Sequence, residues 1–370
     1  MPDIESSSGS PQPAAPVKSP GYWRETWRRF RRRKLSLAAL AFVVSLVLVA
    51  IFAPAIAGTK PLICKYKGGI YFPALSYFVE GWENPVFIRD DFRILYYPEG
   101  LKQDPDSWAI WPLVYQDPAR RIREDEREGQ PENETGALGA PNRFNWFGTN
   151  DAGIDVFAQL VHGTRIALLV GFVSTGIAAL IGIPLGAVAG YFGGWLDIII
   201  SRAIEVVLCI PTLVLILALI AIVEKPNIMH VMVVIGVTSW PGLARLTRAE
   251  FLKLRESEFV TAARALGVGQ FRIIFRHILP NSMAPVLVPI TFGISSAILI
   301  ESGLSVLGIV TSLDTPSWGT LLNEGRSKFQ AMWWMVVFPG LAIFLSVLAY
   351  NLIGEGLQEA TDPRLREAGK

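Results

Sequence analysis

Chemistry in this sequence is confined to a few ionisable residues that fall inside apolar stretches. Glu301 sits in the middle of the apolar run 284–310. Arg202 and Glu205 lie near the start of another run, 198–223, three residues apart and hence on one helical face. Charge at such depth is costly and marks a pathway, an interface or a pair. For Glu301, a place at a subunit interface or along a translocation path stands beside a structural hydrogen bond to a neighbouring helix. For Arg202 and Glu205, the alternative is a pair near the membrane surface, since Asp197 is close by. Covalent chemistry has no support. The strings HExxH, GxSxG and GxxxxGK[ST] are absent. His162, His230 and His277 are scattered over different loops. Cys64 and Cys209 fall at different expected depths, so neither a zinc site nor a disulfide is expected. No basic-aromatic pattern suggests nucleic acid, and any ATP used must be bound by another chain.

The most structured polar segment is residues 259–281, FVTAARALGVGQFRIIFRHILPN. Its spacing predicts a helix, a glycine break and a second, amphipathic helix. Ala262 and Ala263 would form a small flat surface on the first helix. Gly267 can adopt the left-handed conformation that ends it. Phe271, Ile274, Phe275 and Ile278 follow at i, i+3, i+4 and i+7, predicting one apolar stripe. Pro280 would then reset the chain before the next span. Such a segment offers a knob to a partner, and an ordinary surface-lying helical loop is the alternative.

The elements that position these residues are membrane spans. Of 370 residues 51% are hydrophobic, and they are blocked into long runs rather than spread. Leu35 to Ala57 carries no charge and is long enough to cross about 30 Å of hydrocarbon. Ala55-Ile56-Ala57 resembles a signal cleavage site, but the run exceeds a usual signal core, so a retained anchor is expected. Five further runs follow, at about 166–190, 198–223, 228–244, 284–310 and 332–354, the fourth of the six spans ending near Pro241-Gly242. On 166–190, Ser174, Ala178, Gly182, Gly186 and Gly190 recur every four residues and predict a ridge for close helix packing. The formal net charge is only +2, but arginines cluster at 28–34, at 245–276 and near the C-terminus. The positive-inside rule then puts both termini and the 245–280 loop in the cytoplasm.

The chain therefore divides into a cytoplasmic tail with a disordered start (1–34), a first span (35–57), an extracytoplasmic insert (58–162), a five-helix core (163–354) and a short cytoplasmic tail (355–370). The insert is expected to be small, with Trp82, Trp108, Trp111 and Trp146 giving a modest core and a mobile charged stretch over 118–140. Asn133-Glu134-Thr135 matches a glycosylation sequon and is discounted as chance.

The 259–281 segment resembles the EAA loop of ABC-importer permeases, with Ala262, Ala263, Gly267, Leu279 and Pro280 in register. Thr261 stands where that loop has Glu, and His277 occupies its hydrophobic position. Residues 147–156 (FGTNDAGIDV), 316–319 (PSWG) and 362–364 (DPR) resemble further segments of the second permease subunit of peptide-type importers, with Ile154 in place of an arginine. Lys60-Pro61-Leu62-Ile63, Tyr71-Phe72-Pro73 and the insert resemble the microcin C and oligopeptide subgroup. The resemblance implies an all-α polytopic protein of the inner membrane with six spans. It implies a homologous second permease, two ABC ATPase subunits that bind ATP and magnesium, and an extracytoplasmic solute-binding protein as partners. It also implies transport by alternating access, coupled through the 259–280 loop, for peptides or for a nickel chelate, glutathione or an oligosaccharide. A transporter or channel working without ATP should instead show internal repeats or more buried charge, and neither is evident.

Overall fold

The computed structural model describes residues 22–79, 82, 105–124, 126–309 and 316–361. The 1–20 tail and the Asp362-Pro363-Arg364 motif lie outside them, as does much of the insert between 80 and 104. Helix α1 (Tyr22–Phe30) turns into α2 (Lys34–Ile51), and a break at Phe52 separates the short α3 (Ala53–Ile56), with Pro54 in its first turn. The first run is therefore a shorter span with a kinked end. α4 (Val156–Phe192) is far longer than the run 166–190, because Asp155 caps it early by accepting the Ala158 N–H at 2.7 Å. Gly193, at φ +67°, stops it.

The run 198–223 is not one helix. It forms α5 (Gly194–Leu208) and α6 (Thr212–Ala221), bent by 84° at Cys209–Pro211. Pro211 has no N–H to give and disfavours helical geometry in the residue before it. α7 (Ile228–Arg255) continues straight past Pro241, which corrects the expected end there. Its second half buries Leu243, Ala244, Thr247 and Phe251 while Arg245, Glu250 and Lys253 lie on the other faces, so amphipathicity carries the helix on. The 245–280 loop shrinks accordingly to the short α8 (Glu258–Ala265) and its flanks. α9 runs from Gln270 to Val306, α10 is Trp318–Arg326, and α11 is Trp334–Thr361.

The small-residue ridge of α4 sets the central packing. Ser174 Oγ donates to Met232 O at 2.9 Å, a separation of 58 residues. A Cβ at Gly182 would lie 2.7 Å from Trp240 O, one at Gly186 would press on Ala244 O, and one at Gly190 would lie 2.6 Å from Arg248 O. Ala178 is buried in the same row. The separation stays constant along about 24 Å of helix, so α4 and α7 are parallel and in register. Two parallel helices require the intervening chain to return the full distance. The bent pair α5–α6 must therefore traverse the bundle, which makes six traverses among the described residues.

The two ends of the bundle follow from contacts. Arg33 pairs with Glu355 and Glu359, and Ser36 Oγ donates to Leu352 O, so the start of α2 meets the end of α11. His162, near the start of α4, meets Ala57 O at the opposite end. The end of α4 thus shares a side with α1 and the end of α11, while the insert shares the other side with α10.

The insert holds a small antiparallel sheet, order β2-β1-β3, from β1 (Ile63–Tyr66), β2 (Gly69–Tyr71) and β3 (Trp108–Ile110). Its tryptophans do not form a core: Trp82, Trp108 and Trp146 are exposed and Trp111 is half-buried. Buried Cys64, Tyr115 and Ile122 fill that place. Nor is the described part of 118–140 loose. Arg120 forks onto the buried Glu126 carboxylate at 2.7 and 2.9 Å, and Arg121 donates to Asn133 O. Asn133 is 1% exposed and bonded to Gln116, Asn145 and Gly153 O, so burial withdraws the sequon from any glycan.

Candidate functional site

α8 ends in a full Schellman motif. Gly267 N–H donates to Arg264 O and Val268 N–H to Ala263 O, with Gly267 at φ +71°. Val260 and Ala263 turn inward onto Phe251, Ala187, Tyr191 and Ile278. Ala263 is therefore not part of a flat outer surface with Ala262. The two are adjacent on a helix and point about 100° apart, so only one can face out. The outer face carries Thr261, Ala262, Ala265 and the largely bare Leu266, with Arg264 laid across the Tyr191 ring. Thr261 Oγ1 is bonded back to Ser257 O.

The second helix departs from the expected stripe. Ile273–Ile278 forms a π-helical turn, and Leu279 N–H reaches Ile274 O. The wider turn redistributes the faces: Ile273, Ile274 and Ile278 are buried, while Phe271 (77%) and Phe275 (63%) are exposed. It also relieves the clash between the Pro280 ring and the carbonyl one turn back, so Pro280 interrupts nothing and α9 runs on. His277 and Leu279 are half-buried, and Pro280 is exposed. Leu266, Phe271 and Phe275 are thus exposed, as Ala262 is, and the arithmetic of a regular α-helix could not have separated Phe271 and Phe275 from Ile274 and Ile278.

The candidate pathway residues sit elsewhere. Arg202 and Glu205 form an exposed pair on α5, while Asp197 pairs with Arg248 of α7. Glu301 lines no surface. It is 1% exposed, and its carboxylate accepts from Ser305 and Ser317 at 2.9 Å and from Ser302 at 3.3 Å. These bonds tie α9 to itself and to the cap of α10. Ser317 also caps α10, and Trp318 Nε1 donates to Leu160 O, so the Pro-Ser-Trp-Gly segment is locked between α4 and α9. Gly163 and Gly319 are the close-approach positions that admit it.

The FGTNDAGIDV segment joins the insert to the bundle. Trp334 Nε1 donates to Thr149 O, and Gly148, at φ +74°, leaves room for that indole. Asn150 reaches Glu324, and Lys328 pairs with Asp151. Asp155 is buried at the foot of α4, and burial pushes its pKa up to about 6 against bonds from Asn145 and the Ala158 and Phe157 N–H groups. Burial also raises Glu324, against the Asn150 bond. Tyr77 is raised by burial and by the neighbouring Asp117, whose carboxylate its hydroxyl donates to.

Comparison with known proteins gives two family matches. Residues 182–367 match the binding-protein-dependent transport system inner membrane component. Residues 21–66 match the N-terminal membrane domain of oligopeptide transport permease C. The dipeptide transport system permease of Alkalihalophilus pseudofirmus is 32% identical over 96% of both chains. The peptidoglycan transport system permease of Agrobacterium fabrum is 32% identical over 95% of this chain and 96% of its own. The glutathione transport system permease of Pectobacterium atrosepticum is also 32% identical, over 95% and 93%.

Proposed function

Since this chain belongs to the binding-protein-dependent transport system inner membrane components, a family of ABC-importer permease subunits, we propose that it forms half of a translocation path for short peptides or related solutes. A homologous permease supplies the other half. Two separate ATPase subunits bind ATP and magnesium, and a solute-binding protein delivers cargo from outside. Transport proceeds by alternating access, and no covalent step occurs in this chain. The relatives' names span dipeptides, peptidoglycan and glutathione, which share short peptide chemistry and support that cargo class. Lys and Arg next to α2 and in α8's flanks favour a cytoplasmic side that holds both termini and α8.

The observation that carries the coupling assignment is the surface of Ala262, Leu266, Phe271 and Phe275. It is apolar, it projects from the bundle end, and it rests on a packed base of Val260, Ala263, Ile273 and Ile278. Apolar side chains left bare on a rigid base suit a partner rather than water. The test is ATPase co-purification and solute uptake for Ala262→Arg and Gly267→Val. Ala262→Arg should leave the bundle folded, release the ATPases and abolish uptake. Gly267→Val should weaken docking by straining the left-handed turn by roughly 1–2 kcal/mol. Retained ATPases with normal uptake in both variants would remove the coupling assignment.

A further inference from the structure

The cationic face of α1 is unaccounted for by transport. Residues 24–34 hold seven Arg and Lys against one acid, Glu25. Two are paired, Arg29 with Glu25 at 2.6 Å and Arg33 with Glu355 and Glu359, and Lys34 is exposed in the first turn of α2. Arg24, Arg28, Arg31 and Arg32 are exposed and form no ion pair among the described residues. Arg24, Arg28 and Arg31 recur at i, i+4 and i+7, one stripe of the helix. They surround a cavity of about 650 Å³, lined also by Glu25, Trp27 and Arg32.

The opposite face fixes the helix in place. Phe30 and Thr26 are buried, and Phe30 packs against the last turns of α11 at Gly356 and Ala360. α1 therefore lies level with the first turn of α2, where the charge-free run begins. Trp27 stacks on Phe30 at 5.7 Å yet stays 49% exposed, an apolar edge beside the arginines. We propose that this face is a binding site for the headgroup of an anionic membrane phospholipid, with the Arg24, Arg28, Arg31 and Arg32 guanidiniums on the phosphate and Trp27 against the glycerol region. Guanidinium forks match phosphate oxygens, and an indole favours the boundary between acyl chains and water. Continuity with a membrane span selects a lipid over a soluble anion, because the site opens at the depth where phosphates lie.

The full chain with its partners should be extracted from native membranes and its retained lipids measured by mass spectrometry. The wild type should retain phosphatidylglycerol or cardiolipin. Arg24→Gln/Arg28→Gln/Arg31→Gln should lose that retention roughly tenfold or more. Arg123→Gln/Arg143→Gln, which removes charge from the insert, should not. The lysine triple variant should keep most of it. A measurement needing no variant is the Tm of the wild-type complex in phosphatidylglycerol versus phosphatidylcholine nanodiscs, higher in the former. Equal retention by the glutamine variant, or equal Tm in the two lipids, overturns the site. So does retention that rises when residues 1–20 are deleted, which would assign the face to the chain's own N-terminal segment. ATPase loss without lipid loss would assign it to a protein partner and overturn it equally.

Discussion

Substituting Gly186 by Ala tests the central packing most directly. The new Cβ would press on Ala244 O and lie 2.8 Å from Thr247 Cβ and 3.0 Å from Arg248 N. Carbon atoms pack best at about 3.5–4.0 Å, so the two helices must part by roughly 1 Å. The obstacles include the backbone of α7, which no rotamer change can move. Overpacking of this kind costs about 1–3 kcal/mol. At about 1–2 °C per kcal/mol for a chain of 370 residues, Tm should fall by roughly 3 °C. Gly176 is the matched control: it lies on the same helix, is exposed, and has nothing within 4 Å of a new Cβ. Gly176→Ala should leave Tm level or raise it slightly through helix propensity. The assay is thermal unfolding of detergent-solubilised protein followed by size exclusion, with insertion checked separately. Equal Tm for the two alanine variants would refute the parallel contact between α4 and α7.

Three further substitutions follow from two buried carboxyls. Asp155 has a native pKa raised by burial to about 6. The native state therefore holds the proton more tightly than the unfolded chain, and the associated stability is full below about pH 4 and lost as pH rises through about 6, of order 3 kcal/mol in all. Asp155→Asn keeps a capping oxygen for the Ala158 N–H and should flatten the Tm profile between pH 4.5 and 7.5; an unchanged slope would assign the titration elsewhere. Glu301→Gln can still accept from Ser305 and Ser317 and can donate to Ser302, so Tm and uptake should both persist, whereas Glu301→Ala leaves the Ser305 and Ser317 hydroxyls without this acceptor at about 1–3 kcal/mol each, Ser302 keeping Ile298 O. Loss of uptake by a fully stable Glu301→Gln would give the carboxylate a transport role after all.

The spans were legible because lipid imposes a simple rule: long charge-free runs must be helices. The ridge on α4 was legible for a related reason, since small residues every four positions have little other use there. What sat against the ridge was not, because the partner offers backbone carbonyls of α7, and every sequence has those. The start of α4 was hidden by Gln159, His162 and Arg165, polar residues that a hydropathy run excludes although Asp155 caps the helix before them. The π turn at 273–278 was invisible to spacing, which assumes 3.6 residues per turn. In the insert, tryptophan was a poor guide to the core. Beside buried Cys64, Tyr115 and Ile122 lies a network of Gln116, Asn133, Asn145 and Asp155, polar groups that only tertiary pairing makes tolerable.

The Schellman turn, the ridge and the cap of α4 form one mechanical path. α8 rests on Ala187 and Tyr191, in the last turns of α4, and on Phe251 of α7. α4 is a single helix of 37 residues, about 55 Å long, with no break at Pro184. Its other end carries Asp155, the Trp318 indole on Leu160 O, and the Ala57 carbonyl on His162. α7 cannot slide along α4, because glycines at three successive turns seat its carbonyls in register. In the proposed coupling, a displacement of α8 would carry α4 and α7 together and reach the insert and α10 at the far side. The bent pair α5–α6 is held to α7 differently, by the Asp197–Arg248 ion pair and by buried Ile216 and Ile220. Its two halves are bent by 84° at Pro211, so this span presents two helix directions to the bundle while α4 and α7 present one.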